Sequence, residues 1–260
     1  MPNKNNYFIG FIRIVLIVLW IVTMPLIYMV ARLVRVPKYT QLPHVFHAGV
    51  CKILGIQVSC SGSMSERRPT LYLSNHVSYV DIFVLGQLPA YFIAKAEVAS
   101  WPVLGTLAQF QNTLFIERKA GRAKQQLKVL QNHLEQSNSL TLFPEGTSTN
   151  GTHVEPFKST LLESANLPDG PRVAIQPVTV AYTHYDGELI VDQQTRDHYA
   201  WYARMPFLPH FLGLMPRKKV SAKIHFHPVC YLDEFETRKE CAQHCQKLVA
   251  DRLDALVRGE

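Results

Sequence analysis

The chain has 260 residues, of which 47% are apolar, enough for the core of one large domain or of one domain with an appendage. Lysine and arginine outnumber aspartate and glutamate by 27 to 20, a net charge of +7 that suits an anionic membrane surface or nucleic acid. The sequence has no zinc-finger spacing and no nucleic-acid-binding fingerprint, so we expect no nucleic-acid partner. Five cysteines without a Cys-x-x-Cys pair argue against a disulfide framework and for a reducing compartment.

The N-terminal part of the chain is apolar enough to anchor it to a membrane. Residues 14–31 are uncharged and mostly aliphatic, although this run is slightly shorter than the roughly 20 residues of a full span, and Pro25 would kink a helix there. Basic residues flank both ends, so they set no orientation. A second, partly apolar stretch covers residues 45–58. We predict a helical membrane-anchoring region over residues 1–60, either as one spanning helix or as two helices that dip into a single leaflet.

The remainder alternates between strand-like and helix-like patterns, which predicts an α/β domain over residues 61–260, with a mixed sheet flanked by helices. In such sheets, functional residues gather beyond the carboxyl ends of strands. Pro177 lies inside a predicted strand and indicates an edge or a bulge. The predicted strands are 70–74, 91–94, 113–117, 139–143, 174–181 and 220–226, and the predicted helices are 81–88, 97–110, 121–136 and 233–257.

A histidine and an aspartate five residues apart follow the first predicted strand. In a continuous helix, His76 and Asp81 would lie about 140° apart around the axis, but a turn after the strand would bring the carboxylate back to the imidazole. Such a pair can take a proton from an attacking alcohol, because the carboxylate holds the imidazole in the required tautomer. The alternative is structural, since Ser78-x-x-Asp81 before an apolar run is also a capping-box pattern.

Further candidate residues follow other predicted strands. Arg118 ends the run Phe115-Ile116-Glu117-Arg118 and could grip a phosphate or carboxylate with two hydrogen bonds. Lys95 could meet an anion as a point charge. In Pro144-Glu145-Gly146-Thr147, the glycine allows close approach of the backbone, and Glu145 could bind substrate hydroxyls or order basic neighbours. Each also has a structural reading, as a solvated charge or as an ordinary turn.

Two hydrolase classes are also to be considered for these residues. For a metal hydrolase, His225 and His227 share one strand face, and His244 lies between Cys241 and Cys245 on a helix. The sequence lacks His-Glu-x-x-His and paired Cys-x-x-Cys motifs, so we expect no metal site. It also lacks the Gly-x-Ser-x-Gly motif of a serine hydrolase. A non-catalytic, membrane-anchored lipid-binding protein is the remaining alternative.

Taken in order, these blocks resemble bacterial 1-acyl-sn-glycerol-3-phosphate acyltransferases over about residues 70–185. Those enzymes carry His-x4-Asp followed by Phe-Pro-Glu-Gly-Thr. The resemblance implies that His76 is the catalytic base and Asp81 its partner. It also implies that Lys95, Arg118, Glu145, Gly146 and Thr147 bind the acceptor. The activity implied is transfer of an acyl chain from acyl-CoA or acyl-ACP to the free hydroxyl of a lysolipid, with no bound cofactor.

One departure bears on the acceptor. Many members of the family continue the glutamate block as Glu-Gly-Thr-Arg-Ser, whereas position 148 is a serine here. This block, with residues 156–159 and 199–202, is also similar to the branch that contains lyso-ornithine lipid acyltransferases. We take lysophosphatidic acid as the first expectation, with phosphatidic acid as the product, and lyso-ornithine lipid as the alternative. The expected location is the bacterial inner membrane, with the active site on the cytoplasmic side and acyl carrier protein as a further partner.

Overall fold

A mixed β-sheet with helices on both faces organises the chain, as expected from the sequence. The computed structural model describes residues 4–101, 104–117 and 120–260. The strands lie in the order β1-β8-β6-β2-β5-β3-β4, and β7 pairs with β6. Their bounds are β1 Ile56–Gly62, β2 Thr70–Ser74, β3 Tyr91–Lys95, β4 Leu114–Ile116, β5 Leu140–Leu142, β6 Ala174–Tyr185, β7 Glu188–Leu189 and β8 Val220–Phe226.

Five neighbouring strands, β6, β2, β5, β3 and β4, run parallel, so their carboxyl ends lie at the same edge of the sheet. β2 pairs in parallel with both β5 and β6, and β3 pairs in parallel with both β5 and β4. The carboxyl ends of β2, β5, β3 and β4 therefore meet at one edge, where ligands bind in sheets of this kind. His76 follows β2, Lys95 ends β3, and Glu145 follows β5.

The two faces of the sheet carry separate cores. One buries Tyr72 and Val180 against the N-terminal helices, while the other buries Leu71 and Leu73 against the C-terminal helix. Alternate residues of β2 thus point to opposite faces, and both faces are apolar, as is typical of parallel strands covered on both sides. The helices are α1 Lys4–Leu33, α2 Leu42–Leu54, α3 Asp81–Leu85, α4 Leu104–Phe110, α5 Ala123–Glu135, α6 Gln193–Arg196, α7 Phe207–Leu214 and α8 Arg238–Val257.

The N-terminal helix α1 is continuous through Pro25 and carries one buried stripe. Gly10, Ile17, Met24 and Ala31 are buried at seven-residue intervals, which places them on one side of the helix. Trp20 donates a hydrogen bond to the carbonyl of Phe46 in α2 at 3.0 Å. Most of the remaining surface of α1 is exposed and apolar. The segment Asn6–Leu33 is long and apolar enough to cross a membrane.

The second apolar stretch belongs to the folded domain. α2 buries Phe46, His47 and Val50 against the sheet, and β1 pairs with β8 from Ile56 onward. The sheet therefore begins before residue 61, where the sequence pattern put the start of the α/β domain. This arrangement argues against α2 as a second helix that dips into the leaflet, because α2 covers the sheet.

Other boundaries also differ from the predicted ones. β6 is not an edge strand, because it lies between β8 and β2 and Pro177 is paired with Leu73. The regular ladder with β8 ends at Val178 and Phe226. Beyond it the His227 N–H donates to the Pro177 carbonyl and Ile175 pairs with Cys230 in an isolated bridge, so the proline lies where the ladder is irregular. The helical stretch 97–110, which the sequence predicts to be interrupted by Pro102 and Gly105, is divided between a 3₁₀ turn, Ala96–Ser100, and α4. The last helix starts later than predicted, at Arg238, with Thr237 as its N-cap.

Candidate active site

The turn after β2 brings His76 and Asp81 together. Nδ1 of His76 lies 2.8 Å from Oδ2 of Asp81. A carboxylate can only accept, so the hydrogen on this imidazole lies on Nδ1 and the lone pair lies on Nε2. The His76 side chain is 22% exposed, whereas Asp81 is completely buried. The geometry therefore presents an oriented imidazole whose second nitrogen is available to accept a proton.

Asp81 is held by three further hydrogen bonds. Oδ2 accepts the backbone N–H groups of Val77 and Ser78 at 2.7 and 2.9 Å, and Oδ1 accepts the hydroxyl of Tyr182 at 2.8 Å. The hydrogen bond from the backbone N–H of Ser78 to the Asp81 side chain is one half of a capping box, the structural alternative that the sequence predicted. The other half is absent, because the Ser78 hydroxyl accepts from Val80 instead. Asp81 thus orders the turn and orients the imidazole at once.

Glu145 joins the loop after β5 to the loop after β2. Its Oε1 accepts the backbone N–H of His76 at 2.6 Å, and its Oε2 accepts that of Glu155 at 2.7 Å. The residue is almost completely buried, and this burial raises the pKa of the carboxyl to about 8. Both oxygens are occupied by backbone donors, so the carboxyl positions His76. Contact between Glu145 and the acceptor remains a prediction.

Three more hydrogen bonds hold the same loops. The backbone N–H of Thr149 donates to the carbonyl of His76 at 2.9 Å. The hydroxyl of Ser148 donates to the carbonyl of Trp201 at 2.5 Å, and the N–H of Trp201 donates to the carbonyl of Val77 at 2.9 Å. Ser148 therefore connects the loop after β5 to the segment around Trp201.

An aromatic path leads away from the imidazole. The ring of His76 stacks on Phe143 with centroids 4.1 Å apart, and Phe143 stacks in turn on Phe92 at 6.3 Å. His47 links Phe92 to Phe46, which lines an apolar cleft between α1, α2 and α4. These ring contacts form a continuous, mostly buried row from the dyad to the cleft beside the N-terminal helix.

The remaining predicted residues differ in their surroundings. Lys95 is exposed at the end of β3, and Thr147 is exposed in the loop after β5. Gly146 is half-buried and has a φ of 74°, a left-handed conformation that glycine adopts without strain. Arg118 lies outside the described residues. The structure therefore unites His76, Asp81 and Glu145, and leaves the binding roles of the others as predictions.

Possible metal ligands are a separate feature of the structure. Among the described residues, one group of thiols could hold an ion: Cys230, Cys241 and Cys245. The rings of His225 and His227 lie 4.7 Å apart, but Nε2 of His227 is hydrogen-bonded to Thr179 at 2.8 Å. These side chains surround β8 and α8, and none contacts the dyad in the described structure.

Sequence reasoning missed Tyr182 and Asn75. Tyr182 reaches Asp81 only because β6 pairs beside β2, and nothing near Tyr182 in the sequence signals this contact. Asn75 makes two hydrogen bonds to the backbone of Val180, which fix the turn just before His76. A polar residue directly before the motif histidine was the only available signal.

Comparison with known proteins gives one consistent result. The acyltransferase family model matches residues 55–181. The chain is 32% identical to a lyso-ornithine lipid O-acyltransferase of Brucella abortus, over 96% of this chain and 97% of that protein. It is 31% identical to a 1-acyl-sn-glycerol-3-phosphate acyltransferase of Neisseria gonorrhoeae, over 72% of each. Its fold matches the crystal structure of the 1-acyl-sn-glycerophosphate acyltransferase from Thermotoga maritima with a TM-score of 0.70, over 97% of each chain at 16% identity.

Proposed function

The chain belongs to the acyltransferase family, and from this premise we propose that it transfers an acyl chain from a thioester to the free hydroxyl of a lysolipid. The observation that carries the proposal is the 2.8 Å contact between His76 and Asp81 at the carboxyl ends of the parallel strands. It extends the family assignment to a defined base in this chain.

The reaction follows from the chemistry of the two substrates. A thioester is already activated, so the remaining task is to make the hydroxyl nucleophilic. Nε2 of His76 takes the hydroxyl proton as the oxygen attacks the thioester carbonyl, and Asp81 stabilises the imidazolium that forms. The tetrahedral intermediate then collapses and expels the thiolate, which takes the proton back from His76. An ester forms and a thioester breaks, and acyl-CoA or acyl-ACP serves as co-substrate without a bound cofactor.

Lyso-ornithine lipid is the acceptor that the observations favour. A curated relative of this name matches the chain almost end to end. Ser148 also supports this choice, because its hydroxyl is engaged with Trp201 and the site lacks the arginine that many relatives use at this position for phosphate. Lysophosphatidic acid is the second candidate, because the Neisseria gonorrhoeae relative is a 1-acyl-sn-glycerol-3-phosphate acyltransferase. For that acceptor, Arg118 is the expected phosphate ligand.

A membrane surface is the proposed site of action. The exposed side of α1 is apolar along its length, and the opposite side contacts the domain through its buried stripe. Arg13 donates a hydrogen bond to the carbonyl of Met215 at 3.0 Å, which attaches α1 next to α7. Leu208 and Leu212 of α7 are exposed as well. We infer that both helices lie in the interface of the inner membrane, on its cytoplasmic side, so that a lysolipid reaches the dyad from the bilayer.

The acceptor is tested by supplying the purified protein with acyl-CoA and either lyso-ornithine lipid or 1-acylglycerol-3-phosphate. The product of each reaction is identified by its mass. We expect the higher kcat/KM with lyso-ornithine lipid. Preference for 1-acylglycerol-3-phosphate would reverse the acceptor assignment, and no transfer to either lysolipid would contradict lysolipid acylation.

A charge variant refines the same comparison. Ser148→Arg removes the bond to Trp201 and places a cation near the acceptor, so it should lower transfer to lyso-ornithine lipid. His153→Arg adds a cation at an exposed position of the same loop and serves as the matched control. If the Ser148→Arg variant acylated lyso-ornithine lipid as fast as the His153→Arg control, Ser148 would no longer support lyso-ornithine lipid as the acceptor.

A further inference from the structure

Three of the five cysteines converge in the core on the side of the sheet that faces α8. Cys230 follows β8 and forms an isolated antiparallel bridge with Ile175 of β6. Cys241 and Cys245 lie one turn apart near the start of α8. Cys241 and Cys245 are completely buried, and Cys230 is 7% exposed. The three Sγ atoms lie within 4.8 Å of one another, and those of Cys230 and Cys245 are 3.9 Å apart.

These separations match the dimensions of a metal–thiolate site. Metal–sulfur bonds of about 2.3 Å, arranged in a trigonal plane, place the sulfur atoms about 4.0 Å apart. The observed distance of 3.9 Å between the Sγ atoms of Cys230 and Cys245 is close to this value. A disulfide requires a separation of about 2.05 Å, so it would need a shift of the backbone or of the rotamers. The arrangement therefore fits an ion at the centre of the triangle better than a covalent pair.

The position of Cys241 suits an anionic ligand set. It is the fourth residue of α8, close to the positive end of the helix dipole. The thiolate is the form of cysteine that binds a metal, so binding of an ion would displace the thiol protons.

We propose that Cys230, Cys241 and Cys245 form a trigonal binding site for a thiophilic metal ion. Soft thiolates select Cu(I) or Zn(II) among the biological metals. Cu(I) fits best, since the group found among the described residues has three donors and Zn(II) in structural sites takes four ligands. A bound ion would tie the strand end at Cys230 to α8, far along the chain from His76. Its role is to stabilise the fold, independently of acyl transfer.

Direct titration of the full-length protein tests the site. The protein is purified in detergent with reductant under anaerobic conditions, and Cu(I) is added against a chromogenic Cu(I) chelator. Zn(II) is titrated in a parallel arm. We expect one Cu(I) per chain, a higher melting temperature and weaker binding of Zn(II). Stoichiometric binding of Zn(II) alone would keep the site and change the ion, whereas binding of neither metal would overturn the proposal.

Cysteine variants and X-ray absorption locate the metal. Cys230→Ser, Cys241→Ser and Cys245→Ser should each weaken Cu(I) binding by more than about 100-fold, above the usual effect of an indirect contact. Cys60→Ser, on the exposed face of β1, and Cys51→Ser, in the core formed with α2, are the matched controls and should bind like the wild type. If one of these three variants does not fold, X-ray absorption spectroscopy of the Cu(I)-loaded wild type still tests the site. Three sulfur neighbours at about 2.3 Å from the metal would support it. Two sulfur neighbours, or nitrogen and oxygen neighbours, would refute it.

Discussion

At the scale of single residues, Asp81 resolves two readings of one sequence pattern. The sequence could not distinguish a catalytic partner of His76 from a helix-capping carboxylate, because both need an acidic residue at the same place. In the structure Asp81 accepts from the imidazole, from two backbone amides and from Tyr182. The motif pair was predictable from local spacing. Tyr182 was not, because its contact depends on the pairing of distant strands.

The contacts of Asp81 with His76 and with Tyr182 differ in their expected importance. Asp81→Asn should lower kcat strongly, because the amide favours the wrong imidazole tautomer. Tyr182→Phe keeps the carboxylate and should have the smaller kinetic effect, while costing about 1.5–3 kcal/mol of stability through the loss of a hydrogen bond to a charged group. Steady-state kinetics and thermal unfolding of both variants measure these changes in kcat and in stability. If Asp81→Asn lost stability but kept its kcat, the capping role alone would remain.

Glu145 makes stability depend on pH. Burial raises the pKa of Glu145 to about 8 from an ordinary value near 4.5, so the folded protein keeps a proton that the unfolded chain has lost. Its contribution is fully present below about pH 4.5 and is lost as the pH rises towards about 8. Glu145→Gln does not titrate, so its melting temperature should decline less over this range. If the melting temperatures of wild type and variant declined in parallel with rising pH, Glu145 would not titrate in this way.

At the scale of elements, the strands that were predicted well have either a continuous apolar run, as in β2, or a regular alternation of apolar and polar residues, as in β8. The edge strand β1 was missed because, after Ile56, it consists largely of exposed polar residues and is not a buried or alternating run. Only its parallel pairing with β8 defines it. The length of β6 was underestimated for a similar reason, since its polar last residues pair with β7 and β8.

The contact between α1 and α2 depends on a small residue. A Cβ atom at Gly49 would lie 2.3 Å from the ring of Trp20, so Gly49→Val should force the helices apart. We expect a loss of about 1–3 kcal/mol, as for other overpacked sites. Gly213→Ala in α7 is the control, since its added Cβ would have open space. Equal melting temperatures for the two variants would mean that Trp20 does not pack on Gly49 as described.

At the scale of the whole molecule, helix α1 is the membrane anchor and also packs on the domain through its buried stripe. We expect the protein to sediment with membranes and to need detergent for extraction. Replacing exposed Leu19 and Val22 by glutamate should move much of the protein to the soluble pool, with little change in its melting temperature, because both residues point away from the core. Glutamate at buried Ile17 should instead unfold it. Soluble wild-type protein after a mild salt wash would contradict the anchor.

The same connection limits which truncations preserve the fold. Deletion of residues 1–60 would remove α2 and β1, so it should destroy the core formed with the sheet. A truncation that ends before Leu42 keeps both elements. The sequence located the apolar segment correctly by composition, but composition alone could not separate α1 from α2, since what distinguishes them is the surface on which each packs.

The central claim is that His76 acts as the base in acyl transfer, and the kinetics of His76→Ala test it most directly. With acyl-CoA and the preferred lysolipid, we predict that kcat falls by about 10²–10⁴, the usual contribution of a general base. The KM for the lysolipid and the melting temperature should change little, and His153→Ala, at an exposed histidine, should match the wild type. Turnover by the well-folded His76→Ala variant close to that of the wild type would contradict the account.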